Sequence, residues 1–200
     1  MIILGSGGHA KEILDILIEK NYYKEIIFIN TLIKDKEKLF NKYNVINSLK
    51  NLSKIQNDFI IGVGDIKLRK KLAIYALSNN LNWTGIRSKN SIIGKFNVEI
   101  DLTVDIMQNV HISSDVSIGK GTLVNRNVSI HHNVIIGKNN VISPGVQLLG
   151  GCEIGNNVFI GAGSIILPKI KIEDDVVIGA GSLVNKNVSR KTKVFGNPAR

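Results

Sequence analysis

Residues 100–189 read, in sixes, IDLTVD IMQNVH ISSDVS IGKGTL VNRNVS IHHNVI IGKNNV ISPGVQ LLGGCE IGNNVF IGAGSI ILPKIK IEDDVV IGAGSL VNKNVS. The first place of all fifteen hexads is Ile, Leu or Val, the fifth is Val, Ile, Thr, Ser, Cys or Asn, and no insertion breaks the count. A strict period of six marks a parallel β-helix, in which three hexads close one triangular coil, so the stretch predicts about five coils. The aliphatic first place turns inward and stacks on its equivalents in neighbouring coils, roughly 4.8 Å away. An α-helix is excluded, because Gly and Asn recurring at this period would scatter the apolar side chains around its surface.

Corner positions one coil apart lie above one another. Gly119, Gly137 and Gly155 form one column and Gly145, Gly163 and Gly181 another, and tight corners that need positive φ account for most of them. The repeated GAGS at 161–164 and 179–182 predicts a smooth strip of small residues with accessible backbone amides, along which a long flexible ligand could lie. His131 and His132 occupy the second and third places of their hexad, where side chains face outward, and one coil beyond His132 stands Gly150, followed by Gly151. An imidazole beneath a bare corner leaves room for a substrate beside a general base. The competing reading is a solvated surface histidine.

Ahead of the hexads, strand and helix signals alternate. MIILG is a strand, AKEILDILIEKN a helix with Ile13, Leu14, Leu17 and Ile18 on one face, EIIFIN a second strand, KEKLFNKY a short helix and DFIIGVG a third strand. Asp65 then caps IKLRKKLAIYAL, where Leu68, Leu72 and Leu77 supply the apolar face. This predicts a Rossmann-like α/β domain with a small parallel sheet over residues 1–84 and a β-helix domain with a C-terminal tail over 85–200. The turn GSGGHA satisfies G-x-G-x-x-G/A through Gly5, Gly7 and Ala10, and the amides after Gly7 and Gly8 offer an anion site for a diphosphate. A dinucleotide fingerprint also needs an acidic residue ending the second strand. Asn30 stands there instead.

A net charge of +10 and a pI near 9.7 favour anionic partners. The lysines are spread along the whole chain with no basic run interleaved with aromatics and no nucleic-acid motif, so no nucleic-acid partner is expected. The single cysteine, Cys152, excludes an intramolecular disulfide and falls at an inward fifth place, which points to core packing rather than nucleophilic chemistry. The glycine turn interrupts the N-terminal apolar run too early for a signal peptide, and no stretch approaches the roughly 20 apolar residues of a membrane span. The expectation is a soluble, cytoplasmic protein with no membrane partner.

The hexads, with HHNVIIGKNNVISPGVQLLGG, IGAGSIILPKIKI, VVIGAGSLV and the terminal KVFGNPAR, resemble the left-handed β-helix acyltransferases. GSGGHAKEIL, FIN and IGVGDIKLRKKL narrow the resemblance to the sugar acetyltransferases related to NeuD and PglD. It implies a left-handed helix, a homotrimer with active sites between subunits, and direct acetyl transfer from acetyl-CoA, without a metal, to the 4-amino group of a nucleotide-linked amino-deoxy sugar. By the same resemblance His132 is the base. Asn133 stands where the family commonly has an acidic residue, and we expect Asp115, in the same column one coil below, to supply the carboxylate, unless it is a solvated turn aspartate. Val141 replaces a histidine that some members carry. The resemblance also places CoA along Gly161, Ala162 and Gly163 and along Gly179 and Ala180, with Lys186, Arg190, Lys191 and Lys193 as phosphate partners. A backbone N–H of Gly150 or Gly151 faces the oxyanion, and His9, Asn30 and Asp65 join Gly7 and Gly8 around the nucleotide sugar.

A sialic-acid-type sugar O-acetyltransferase would use the same histidine. Two further classes stay open: a β-helical carbonic anhydrase, for which His111, His131 and His132 lack convincing zinc spacing, and a non-catalytic scaffold that senses sugar nucleotides.

Overall fold

The computed structural model describes residues 1–22, 25–30, 37–48 and 57–200. They form two compact units, Met1–Ile86 and Arg87–Arg200. The first contains β1 (Ile2–Leu4), α1 (Gly8–Glu19), β2 (Ile27–Ile29), β3 (Glu37–Leu39), β4 (Tyr43–Ile46), β5 (Asp58–Ile61), α2 (Ile66–Ser78) and β6 (Asn82–Trp83). The sheet runs β3-β4-β2-β1-β5-β6, and every pairing is parallel except β3 with β4. The uninterrupted apolar runs IIL, IFI and FII are buried along their whole length, as parallel strands covered on both faces require.

Three local expectations are corrected here. The stretch KEKLFNKY is not a helix: Lys36 lies outside the described residues, while Glu37–Leu39 pairs antiparallel with Tyr43–Ile46. Phe40 and Asn41 take left-handed φ values of 52° and 53°, which turn the chain back on itself. In α1 the buried face is Ala10, Ile13, Leu14, Ile16 and Leu17, and Ile18 is 55% exposed. In α2 the buried stripe is Arg69, Ala73 and Ala76, whereas Leu68 and Leu77 are 42% and 43% exposed. The alanines sit at helical spacing with Arg69, and their small side chains let the helix approach the sheet, with Leu72 half-buried beside them.

The second unit is a three-sided parallel β-helix, and its hexapeptide period is consistent with left-handed winding. Face one carries strands from Ile92–Ile93 to Leu183–Val184, face two from Val98–Ile100 to Lys171–Ile172, and face three from Asp105–Ile106 to Lys193–Val194. Faces one and three have six strands and face two has five, so the solenoid is longer than the five coils expected. The extra strands fall where strict period six fails. Ile112 pairs with Ile93 and Ile118 with Ile100, which leaves one surplus residue between Ile93 and Ile100. At the other end Ile178 pairs with Val194, two residues short of a full coil.

First-place residues from Ile106 onward are buried and fill one continuous core. Polar fifth-place residues are satisfied internally: Asn140 Nδ2 donates to the Gly155 carbonyl at 2.9 Å, and its Oδ1 accepts from Val158 N at 2.6 Å. The edges turn through left-handed residues in columns. Between faces one and two these are Asn97, Asp115, Asn133, Gly151 and Lys169, with φ from 51° to 70°. Asn, Asp and Gly dominate because they tolerate this conformation best.

Candidate active site

His132 stands on the edge between faces one and two, flanked by the strands Ser129–Ile130 and Ile135–Ile136. Its carbonyl accepts from Gly151 N at 2.9 Å, and Asn133 N donates to the Ser114 carbonyl at 3.2 Å, so the backbone under the imidazole is tied to the coils on both sides. The side chain is exposed. Its Nδ1 lies 2.8 Å from Asn133 Oδ1. An amide oxygen only accepts, so Nδ1 carries the proton and Nε2 presents its lone pair. Asp115 does not join this arrangement: its Oδ1 accepts from Asn97 Nδ2 at 2.8 Å, within its own column.

The glycines beyond His132 have two different reasons to be glycine. A Cβ on Gly150 would stand 2.6 Å from His132 Cε1 and 2.8 Å from Nε2, so the bare corner is filled by the imidazole itself. Gly151 has φ +70°, and a Cβ there would make only ordinary contact with Lys169 Cγ at 3.6 Å. Its amide is bonded to His132, which leaves the Gly150 N–H, with no hydrogen-bond partner among the described residues, as the available donor of the pair.

The GAGS strip lies on another edge, between faces three and one, because residues 161–164 join Phe159–Ile160 to Ile165–Ile166. Its glycine amides are occupied: Gly161 N donates to Ile178 O, Gly163 N to Pro144 O, Gly179 N to Val194 O and Gly181 N to Ala162 O. A Cβ on Gly161 would collide with Ala180 N, and one on Gly179 would lie 2.7 Å from Phe195 Cβ, so these two glycines permit close stacking. The open donors are the amides of the exposed Ala162 and Ala180, for which no acceptor is found among the described residues. Lys186 lies on the His132 edge, in the column that runs His132, Gly150, Pro168 and Lys186. Arg190 pairs with Asp175 at 3.6 Å, while Lys191 and Lys193 are exposed. Cys152 is fully buried in the core, and burial pushes its thiol up to about 12.

In the first unit the glycine turn is built for close approach. Gly5 has φ +116°, and a Cβ there would meet Gly62 O at 2.9 Å. Gly62 in turn leaves room for Ala10, whose Cβ would be 2.8 Å away. Gly7 is the N-cap of α1 without a side-chain cap, and among the described residues, its chain neighbours and helix backbone apart, no atom lies within 4 Å of where a Cβ on Gly7 or Gly8 would be. The first amides of α1 therefore face an open, partially positive helix end. His9 Nδ1 lies 3.2 Å from Glu12 Oε2, Asn30 Nδ2 donates to Ser6 Oγ at 2.8 Å, and Asp65 Oδ1 caps α2 through Leu68 N at 2.8 Å. Among the described residues no group of three His, Cys, Asp or Glu is placed to hold a metal ion, and no helix is long and apolar enough to cross a membrane.

Residues 1–76 match the PglD N-terminal domain family, and residues 115–150 and 151–186 match six repeats each of the bacterial transferase hexapeptide family. The chain thus joins a stretch that matches the PglD N-terminal domain to a stretch of bacterial transferase hexapeptide repeats. Its fold is shared along the whole chain with three solved structures. The acetyltransferase domain of PglB from Neisseria gonorrhoeae FA1090, in complex with acetyl coenzyme A, is 23% identical, with a TM-score of 0.89 over 100% of this chain and 97% of that one. PerB from Caulobacter crescentus, in complex with CoA and GDP-perosamine, is 24% identical, with a TM-score of 0.84 over 100% and 95%. WeeI from Acinetobacter baumannii AYE is 22% identical, with a TM-score of 0.91 over 100% and 97%. No curated protein sequence matches.

Within this chain the structure brings His132, Asn133, Gly150 and Gly151 together on one edge. It places Ala162 and Ala180 on a different edge, and it bonds Asp115 Oδ1 to Asn97 rather than to the imidazole. One residue was missed entirely. Arg69 is 4% exposed, and its Nη1 donates to the Ile61 and Val63 carbonyls at 3.1 and 2.9 Å, pinning the end of β5 beside the glycine turn. A lone arginine in a lysine-rich helix reads as solvated surface. Its helical spacing to Ala73 and Ala76 was the available signal.

Proposed function

We propose that this protein transfers the acetyl group of acetyl-CoA to the amino group of a nucleotide-linked 4-amino-4,6-dideoxyhexose, in the cytoplasm, for the synthesis of O-antigen, capsule or another glycan. The observation that carries the reading is the outward imidazole of His132, with Nδ1 tied to Asn133 Oδ1 at 2.8 Å and Nε2 left as a base. The neutral sugar amine attacks the thioester carbonyl and forms a C–N bond. Nε2 takes the proton as the nitrogen becomes cationic. The Gly150 N–H serves the tetrahedral oxyanion, the C–S bond breaks, and the CoA thiolate leaves and takes up a proton. Cys152 has no part in this, since its thiol is buried and protonated, and no acyl-enzyme forms.

Acetyl-CoA would lie along Ala162 and Ala180, donating neighbours of Gly161, Gly163 and Gly179, with Lys186 toward its phosphates. The open amides and the imidazole occupy different edges of one chain, which favours a homotrimer whose active sites join the edges of neighbouring subunits. The open N-terminus of α1 at Gly7 and Gly8 suits the diphosphate of the acceptor, with His9, Asn30 and Asp65 near the same turn. Asp115 would act on His132 only through the field of its charge. The likeness to PerB in complex with CoA and GDP-perosamine adds support for an amine acceptor over a hydroxyl.

The test is thiol release from acetyl-CoA with a panel of nucleotide-linked 4-amino sugars and free sugars. Release with at least one amine is expected. Release with a free sugar hydroxyl alone would replace this reading by an O-acetyltransferase, and no release with any acceptor would favour a scaffold.

A further inference from the structure

We infer that Gly150 is a positioning residue: its bare Cα is the floor on which the His132 imidazole rests, and with Asn133 it confines the ring to one orientation and one tautomer. This deepens the reading of His132 as base and rests on it.

Backbone conformation does not explain a glycine at this place. Gly150 is not in the left-handed region, whereas its neighbour Gly151, at φ +70°, is. What a Cβ at 150 would meet is the Nδ1–Cε1–Nε2 edge of the imidazole, at 3.3, 2.6 and 2.8 Å. Ordinary contact begins near 3.5 Å, so any side chain at 150 displaces the ring. The floor limits where the ring can lie, and Asn133 then selects between the two flipped orientations. Only one of them sets Nδ1–H against Oδ1, at 2.8 Å; the other sets a C–H there and forfeits the bond. Asn133 holds its own place at φ +60°, a conformation that asparagine and aspartate tolerate well. The atoms at risk from a Cβ are the far end of a flexible side chain, so alanine at 150 should misplace the base without unfolding the coil.

The experiment is a double-mutant cycle of Gly150→Ala and His132→Ala on the intact enzyme, with nitrogen-15 spectra of the imidazole in the substrate-free protein. Gly150→Ala should lower kcat about 100-fold with little change in KM for the acceptor, the scale expected when a reacting group is misplaced by about 1 Å. In the His132→Ala background the ring that the new Cβ would displace is gone and alanine keeps the backbone N–H of residue 150, so the same substitution should change the residual rate less than about twofold. An equal loss in both backgrounds would show that Gly150 acts elsewhere, for example on acetyl-CoA, and would overturn the inference. The spectra should show His132 protonated at Nδ1 alone in the wild type, and both tautomers in Gly150→Ala and Asn133→Ala. Asn133→Asp, which keeps an acceptor oxygen, should restore the single form. A wild-type ring protonated at Nε2, or mixed, would also overturn the inference. The spectra need no turnover, so they decide the positioning role even if the acceptor panel fails.

Discussion

Two edges of the β-helix share one backbone geometry and treat their outward amides in opposite ways. Between faces two and three the third-place amides are capped from the next coil: Lys138 N donates to Asn156 Oδ1 at 2.8 Å, and Asn156 N to Asp174 Oδ1 at 2.7 Å. Between faces three and one the same places hold Ala162 and Ala180, whose side chains carry no acceptor, and their amides stay open. A solenoid repeats its donors on every coil. Short side chains decide which of them remain for a ligand.

The largest expected effect concerns the edge that bears the base. His132→Ala should lower kcat about 10²- to 10⁴-fold, the usual weight of a general base, with circular dichroism and oligomer size unchanged. A variant that keeps wild-type turnover would remove the catalytic reading. Next is the open edge. Pro144 already occupies the third place one coil before Ala162, so Ala162→Pro should fold, and deleting one amide should raise the acetyl-CoA dissociation constant about fivefold to tenfold, the value of one hydrogen bond. Unchanged affinity by calorimetry would show that the ligand runs elsewhere.

Converting the open edge into the capped one is a finer probe. Ala180→Asn should place an oxygen against Ala162 N as Asn156 does against Lys138 N, weakening acetyl-CoA while raising stability by about 0.5 to 1 kcal/mol. The reciprocal change, Asn156→Ala, should lower Tm by roughly 2 to 4 °C and leave the kinetics alone. The smallest effect is at Cys152. With its thiol pushed up to about 12 in the fold and near 8.5 when unfolded, the unfolded chain loses that proton first as pH rises. Stability is therefore unaffected at neutral pH and declines above about pH 9. A disulfide reagent at neutral pH should label the thiol only after denaturant is added.

The β-helix was legible because a period of six assigns every side chain inward or outward, and Ile106 through Val184 obey it. The period says nothing of the coil whose extra residue lies between Ile93 and Ile100, nor of the shortened return to Val194. The α/β unit has no such ruler. Phe40 in a left-handed turn, and α2 packing through Arg69 and alanines rather than leucines, are tertiary outcomes that local propensity does not encode. At the site, residue types pointed to His132, Asn133 and the paired glycines. They did not reveal that Gly150 is filled by the imidazole, or that alanine rather than glycine amides are open. Both depend on which neighbouring coil already uses each donor and each space.

The column His132, Gly150, Pro168, Lys186 gives the solenoid an address system. For folding, coils are interchangeable modules, and excising one complete coil between His132 and Gly150 would leave every remaining inward residue in phase. The excision would nevertheless put Pro168 where Gly150 had been, over the imidazole. The core therefore constrains the phase of the chain, whereas the seat of His132 constrains the number of residues to Gly150, and a deletion of one whole coil there is expected to keep the fold and lose the seat.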